Sequence, residues 1–209
     1  MLKKIVPLII LVGFLFSCTT SVNDSIVVKD GEKISKDIYT VNGDIIIGSN
    51  SVVNGSCRTI NGRVVVGQNS LVKKISSING AITIGKNSRI KKNITLINGS
   101  VVVDSGAVIV GDVATVNGSV KLNNSHVLGD LTTANGDISV TNHSVIEGNI
   151  FIKGKKSKNE KRKVEIFLKD GSEIKGTIQS KAPNTEVVVH ALNGSKIDGD
   201  VIGAEIVYE

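Results

Sequence analysis

Short runs of alternating apolar and polar residues recur along most of this chain in one register. The clearest copy is Thr40-Val41-Asn42-Gly43-Asp44-Ile45-Ile46-Ile47-Gly48, and its Asn-Gly pair returns at Asn61, Asn79, Asn98, Asn117 and Asn135, at steps of 19, 18, 19, 19 and 18 residues. Aligned on Asn-Gly, the apolar positions form columns. One column holds Ile45, Val64, Ile82, Val101, Val120 and Ile138, and the next holds Ile47, Val66, Ile84, Val103, Leu122 and Val140. This is the period of a short strand with β-branched side chains on its inner face. A polar corner follows at Asn50-Ser51, Asn69-Ser70, Asn87-Ser88, Asn124-Ser125 and His143-Ser144, with Gly106-Ala107 as the substitute. Beyond it lie Val53, Val72, Ile90, Ile109, Val127 and Ile146. A third strand brings in Cys57, Ile75, Ile94, Val113, Leu131 and Ile150, and then Thr59, Ser77, Leu96, Thr115 and Thr133, before the next Asn-Gly.

Three strands and three corners make one turn, and one turn alone cannot bury its inner side chains. Stacking the turns at strand spacing, about 4.8 Å, pairs their backbones in parallel and sets like side chains on like. The pattern therefore predicts an all-β, three-sided parallel β-helix of about eight turns, each of 18 to 19 residues. Gly and Asn suit corners that need left-handed backbone angles. The column Asn42, Asn61, Asn79, Asn98, Asn117 and Asn135 is expected to satisfy buried corner backbone through amide hydrogen bonds from turn to turn. A meander of Asn-Gly hairpins is the rival topology, but it would not need six near-identical units in one register. The left-handed hexapeptide helix of acyltransferases is a second rival, since Ile84, Ile90 and Leu96 fall six apart. Its strict hexad would slip at each of the three 19-residue intervals.

The flanks divide the chain. Residues 1–17 read as a processing signal, with Lys3 and Lys4 before an apolar run. Residues 18–37 read as a polar tether, 38–152 as six regular turns, 153–163 as a basic loop, and 164–209 as two looser turns and a C-terminal cap. The triplets at 26–28 and 206–208 are placed at the two ends of the stack. Aromatic residues make up 3% of the chain, which fits stacked small strands better than a globular core. The two prolines, Pro7 and Pro183, interrupt none of the regular turns.

Charge changes the picture at one place. The loop carries Lys153, Lys155, Lys156, Lys158, Lys161, Arg162 and Lys163 against one acid, Glu160, in a chain of net charge +6. It is either a solvated loop or a landing patch for anionic polysaccharide or lipid headgroups. Nucleic acid is not expected, because no aromatic residue is interleaved to stack bases.

No catalytic constellation emerges. The outward column Asp44, Arg63, Ala81, Ser100, Ser119 and Asp137 is mixed, as on a solvated face. His126, His143 and His190 share no metal-ligand spacing. Cys57 sits in an apolar column and is expected to be a buried thiol. The chain is read as non-enzymatic, with no cofactor and no metal.

Two resemblances add to this. The ending Leu15-Phe16-Ser17-Cys18 resembles the lipobox of bacterial lipoproteins. It implies cleavage before Cys18, lipid on that residue, and a lipid-anchored place in the bacterial cell envelope. The unit at 171–178, Gly-Ser-Glu-Ile-Lys-Gly-Thr-Ile, with echoes at 106–113 and 194–201, resembles the repeat of bactofilins, polymer-forming bacterial cytoskeletal proteins. That resemblance implies a right-handed three-sided β-helix that joins end to end without nucleotide. The lipoprotein signal and the strict Asn-Gly corner depart from the typical member.

Overall fold

The computed structural model describes residues 18–154 and 162–208. Every strand pairing among them is parallel, and no helix occurs among them. The chain coils into a β-solenoid with three columns of strands. The first face is a ten-stranded sheet that starts with Ile26–Val28, runs through Ile45–Ile47 and Val64–Val66, and ends with Thr185–Ala191 and Glu205–Tyr208. The second face is built from two-residue segments such as Arg89–Ile90, Val108–Ile109 and His126–Val127. The third contains Asp37–Thr40, Ile94–Asn98 and Val113–Asn117. Two long strands, Val52–Asn61 and Leu71–Asn79, bend through the corner between the second and third faces and serve both. Their pairing shifts register between Val53 and Ser56, where that corner lies.

Ten turns are present, against the eight expected. The additional first turn comes from the stretch read as a tether. Cys18–Ser21 pairs with Asp37–Thr40, Ile26–Val28 with Ile45–Ile47, and Lys33–Ile34 with the start of Val52–Asn61. The tenth begins with Glu205–Tyr208, read as a cap, which pairs on Thr185–Ala191. At about 4.8 Å per turn the stack is about 45 Å long.

The core is a set of columns, and the repeat spacing identified them. Ile45, Val64, Ile82, Val101, Val120 and Ile138 are all fully buried, as are Ile75, Ile94, Val113 and Leu131 on the third face. Each such side chain contributes about 1.5–3 kcal/mol when it leaves water. The column continues across the basic insertion, because Ile138 stacks on Ile166 and Ile166 on Val189.

Three kinds of corner hold the turns in register. At the Asn-Gly corner, backbone stacks directly on backbone. A Cβ on Gly62, Gly80, Gly99, Gly118 or Gly136 would lie 1.5–2.2 Å from the carbonyl oxygen of the glycine one turn below, so only glycine fits. Those carbonyls also receive hydroxyls from the buried third-face column: Thr59 Oγ1 donates to the Gly43 oxygen at 3.0 Å, and Ser77 Oγ to that of Gly62 at 3.3 Å. A polar column inside the core is thereby satisfied.

At the second corner the chain turns left-handed. Asn50, Asn69, Asn87, Asn124, His143 and Asp170 have φ between 43° and 59°. The serines beside them point inward and are buried. Ser51 N–H donates to Ser70 Oγ at 3.1 Å, and Ser70 N–H to Ser88 Oγ at 3.0 Å. Each hydroxyl in turn donates to a carbonyl below, Ser70 Oγ to Gly48 at 2.9 Å and Ser88 Oγ to Gly67 at 2.7 Å. Ala107 breaks this ladder, and Ser125 Oγ above it is buried without a partner. At the third corner, side-chain carbonyls accept the next turn's N–H: Asp112 from Asp130, Asp130 from Asn149, and Asn149 from Thr177, at 2.7–3.1 Å.

Two glycine substitutions separate crowding from backbone strain. Gly118→Ala meets a carbonyl oxygen at 1.5 Å, whereas Gly31→Ala meets nothing within 4 Å and is disfavoured only by its φ of +72°. In urea titrations Gly31→Ala is expected to lose about 1–2 kcal/mol, and Gly118→Ala distinctly more because the stacked turns must separate.

Candidate functional site

The asparagine column forms one continuous ladder on the surface of the rod. Each Nδ2 donates to the Oδ1 of the asparagine one turn nearer the N-terminus. Asn61 bonds to Asn42 at 2.9 Å, Asn79 to Asn61 at 2.8 Å, Asn98 to Asn79 at 2.7 Å, and both Asn117 to Asn98 and Asn135 to Asn117 at 2.9 Å. Asn42 extends it to Asn23 at 3.0 Å, a rung the sequence reading did not include.

The role expected of the column needs correcting. Asn42 to Asn117 are exposed, and their amides bond to one another instead of to buried corner backbone. That backbone is satisfied between turns. The N–H of Gly62, Gly80, Gly99 and Gly118 donates to the carbonyl of Asn79, Asn98, Asn117 and Asn135, at 2.9, 3.0, 3.1 and 2.7 Å.

The basic loop stands where the sequence would place the Asn-Gly pair of the eighth turn, and among the described residues no further asparagine continues the ladder. Arg162 closes it, its Nη1 donating to the vacant Oδ1 of Asn135. Its Nε is buried with no hydrogen-bond partner among the described residues. Arg162 was read as a member of an anion-binding loop, but its guanidinium is engaged by the ladder. Lys163 is engaged as well, pairing through Nζ with Glu165 Oε1 at 2.7 Å, with His190 Nε2 3.6 Å from the same oxygen. The contact raises the Lys163 pKa and lowers that of Glu165. Lys153 is exposed. Lys155, Lys156, Lys158 and Lys161 lie outside the described residues.

Cys18 opens the first strand of the third face, opposite Asp37. The expected signal at 1–17 lies outside the described residues.

His126 and His143 line one shallow concavity on neighbouring turns, while His190 lies elsewhere and is largely buried. His126 Nε2 lies 2.8 Å from Glu147 Oε1, which Lys175 Nζ also reaches at 3.0 Å. Lys175 foremost, and then His126, hold the Glu147 carboxyl below its usual range. His143 occupies a left-handed corner position. His190 stacks on Phe167 with ring centroids 4.8 Å apart, and Lys169 Nζ sits 5.0 Å from the Phe167 centroid. In the outward column after Asn-Gly, Arg63 Nη2 pairs with Asp44 Oδ2 at 2.7 Å. No three His, Cys, Asp or Glu among the described residues gather as metal ligands.

Beside the ladder runs an outward apolar row of Ile78, Ile97 and Val116, each 39% exposed. With Tyr39, Arg58 and Ile60 its first members line a groove of about 350 Å³ on the third face. What these features offer chemically is a periodic surface of amides and small apolar groups.

Cys57 is fully buried. Burial, aided by Asp37, pushes its thiol from 9.0 up to about 12. The folded chain thus favours the neutral thiol. Stability from this preference is complete below the unfolded value and is lost as the pH rises from 9.0 toward 12. Maleimide at mildly alkaline pH is expected to leave Cys57 unmodified in the folded protein and to label it fully in urea, as read by peptide mass spectrometry. Rapid labelling of Cys57 in the folded chain would contradict its placement in the core.

No protein-family model, curated protein or solved structure matches the chain.

Proposed function

We propose that the protein is a non-enzymatic structural lipoprotein of the bacterial cell envelope, held to a membrane through a lipidated Cys18 and built to assemble end to end as bactofilins do. The observation that carries this reading is the complementarity of the two ends of the solenoid. In a parallel ladder, alternate residues direct both their N–H and C=O to the same neighbour. Ile26 N–H donates to the Asp44 carbonyl and Gly48 N–H to the Val28 carbonyl, so Ile26 and Val28 face the second turn. Val27, 60% exposed, therefore faces away from the stack at one end. At the other end Ile206 stacks on Val189, Val189 on Ile166 and Ile166 on Ile138. By the same alternation Ile206 and Tyr208 direct their groups outward, and Tyr208 is 71% exposed.

A second copy would pair on this edge in the register that Ile46 uses within the chain, with its Val27 between Ile206 and Tyr208. The contact would also cover Ile26, Ile34, Ile197 and Val201, which are only partly buried against the core. An unpaired strand edge over uncovered apolar side chains is a template for another copy.

The test uses a chain that starts at position 18 with Cys18→Ser, which keeps the first turn whole, examined by negative-stain electron microscopy and sedimentation. Filaments one solenoid wide are expected. Val27→Pro removes the outward N–H without touching the internal ladder, and Tyr208→Lys places a charge at the joint; each is expected to return the protein to monomers with unchanged thermal stability. Wild-type monomers at high concentration, at low and high salt alike, would refute assembly.

A further inference from the structure

The ladder ends on a reactive step. We infer that Asn135-Gly136 is a self-modification site, at which the backbone nitrogen of Gly136 displaces ammonia from the Asn135 side chain and Arg162 accelerates the attack.

An asparagine followed by glycine can cyclise because glycine has no side chain to obstruct the approach of its nitrogen to Cγ. Once the nitrogen can reach Cγ, three features of the residue pair set how readily it does so in a folded protein. The nucleophile is the deprotonated glycine nitrogen, so an N–H held in a hydrogen bond is harder to use. The carbonyl must accept negative charge as the new bond forms, so a cation donating to Oδ1 lowers the barrier. The leaving nitrogen must be free to depart.

The six ladder steps differ on the first two counts. Gly62, Gly80, Gly99 and Gly118 spend their N–H on carbonyls of the turn above. The N–H of Gly43 and that of Gly136 make no such bond among the described residues. Of these two, Asn42 has an ordinary amide on its Oδ1, donated by Asn61 at 2.9 Å. Asn135 alone of the six has a guanidinium there, from Arg162. Both departing nitrogens are exposed or nearly so, each bonded to one asparagine oxygen. Two things therefore coincide at Asn135: a Gly136 N–H with no backbone acceptor among the described residues, and a cation from Arg162 where the oxyanion forms.

The chemistry needs only water besides the chain. Hydroxide takes the Gly136 proton and becomes water, the Gly136 N to Asn135 Cγ bond forms, and as the Cγ–Nδ2 bond breaks the departing nitrogen takes a proton from water, which releases ammonia and restores the hydroxide. Water then opens the cyclic imide at either carbonyl, giving an aspartyl or isoaspartyl residue at position 135. Either product puts a carboxylate beside Arg162 and deletes the donor to Asn117 Oδ1. The isoaspartyl form also lengthens the main chain at a corner where a Cβ on Gly136 would already lie 2.2 Å from the Gly118 oxygen. The seventh and eighth turns would separate there. This site does not depend on whether the chain polymerises.

The experiment is to age the full-length protein in detergent at mildly alkaline pH and follow each Asn-Gly peptide by mass spectrometry with isoaspartate quantification. Asn135 is expected to convert about tenfold faster than Asn61, Asn79, Asn98 and Asn117, a factor equivalent to about 1.4 kcal/mol in barrier, with Asn42 between. In urea the six rates are expected to converge, since each asparagine precedes glycine. Arg162→Gln is expected to slow Asn135 toward the rate of Asn42. If that variant does not fold, the wild-type ranking decides, folded against unfolded. A folded-state rate at Asn135 no faster than that of the four bonded steps would overturn the proposal. So would a folded Arg162→Gln variant with an unchanged rate.

Discussion

Backbone lying directly on backbone at the Asn-Gly corner is the constraint on which the other features of this solenoid depend. With the carbonyl of one glycine where the Cβ of the next would be, successive turns can approach to strand spacing on all three faces at once. That approach lets the inner columns of Ile and Val close into a core without large side chains. It also aligns the asparagines within amide bonding distance of one another. A bulkier corner would open the ladders of two faces and not merely one contact, because each turn is anchored only to its neighbours.

The polar groups are sorted by the same geometry. Hydroxyls of Ser51, Ser70 and Ser88 and of Thr59 and Ser77 face inward and supply bonds that the corner backbone cannot make alone. Carboxamides face outward at the neighbouring corner and bond among themselves. The inner set meets a requirement, since an unmet polar group in the core costs more than a bond gains. The outer set adds order along the axis at little net energy. Its terminus at Arg162 is where the repeat is interrupted, and the chemistry of the surface changes there from neutral amides to fixed charge.

The columns were legible from spacing alone, because a solenoid turns sequence period into spatial neighbours. Ile45, Val64 and Ile82 stack since they sit at the same offset from Asn-Gly, and no long-range contact has to be guessed. The first turn was missed for a local reason. Asn23 precedes Asn42 by 19 residues, but Asp24 stands where glycine stands elsewhere, and the lysines around the short strands Ile26–Val28 and Lys33–Ile34 disguise the period. The serines were seen as corner residues without their inward role, since Asn50-Ser51 and its copies read equally well with either side chain inside. Arg162 was grouped with its lysine neighbours because charge runs look alike along a chain.

What the sequence by itself determined is the repeat, and with it the parallel stack, the strand columns and the identity of the corner residues, because each follows from a period and a steric rule. What only the tertiary structure decided is the facing and pairing of the polar groups. The amides point outward, the hydroxyls inward, and one arginine out of a basic run meets the last asparagine. Those outcomes depend on where the chain re-enters the stack after the insertion, which fixes distances between residues that no spacing along the sequence specifies.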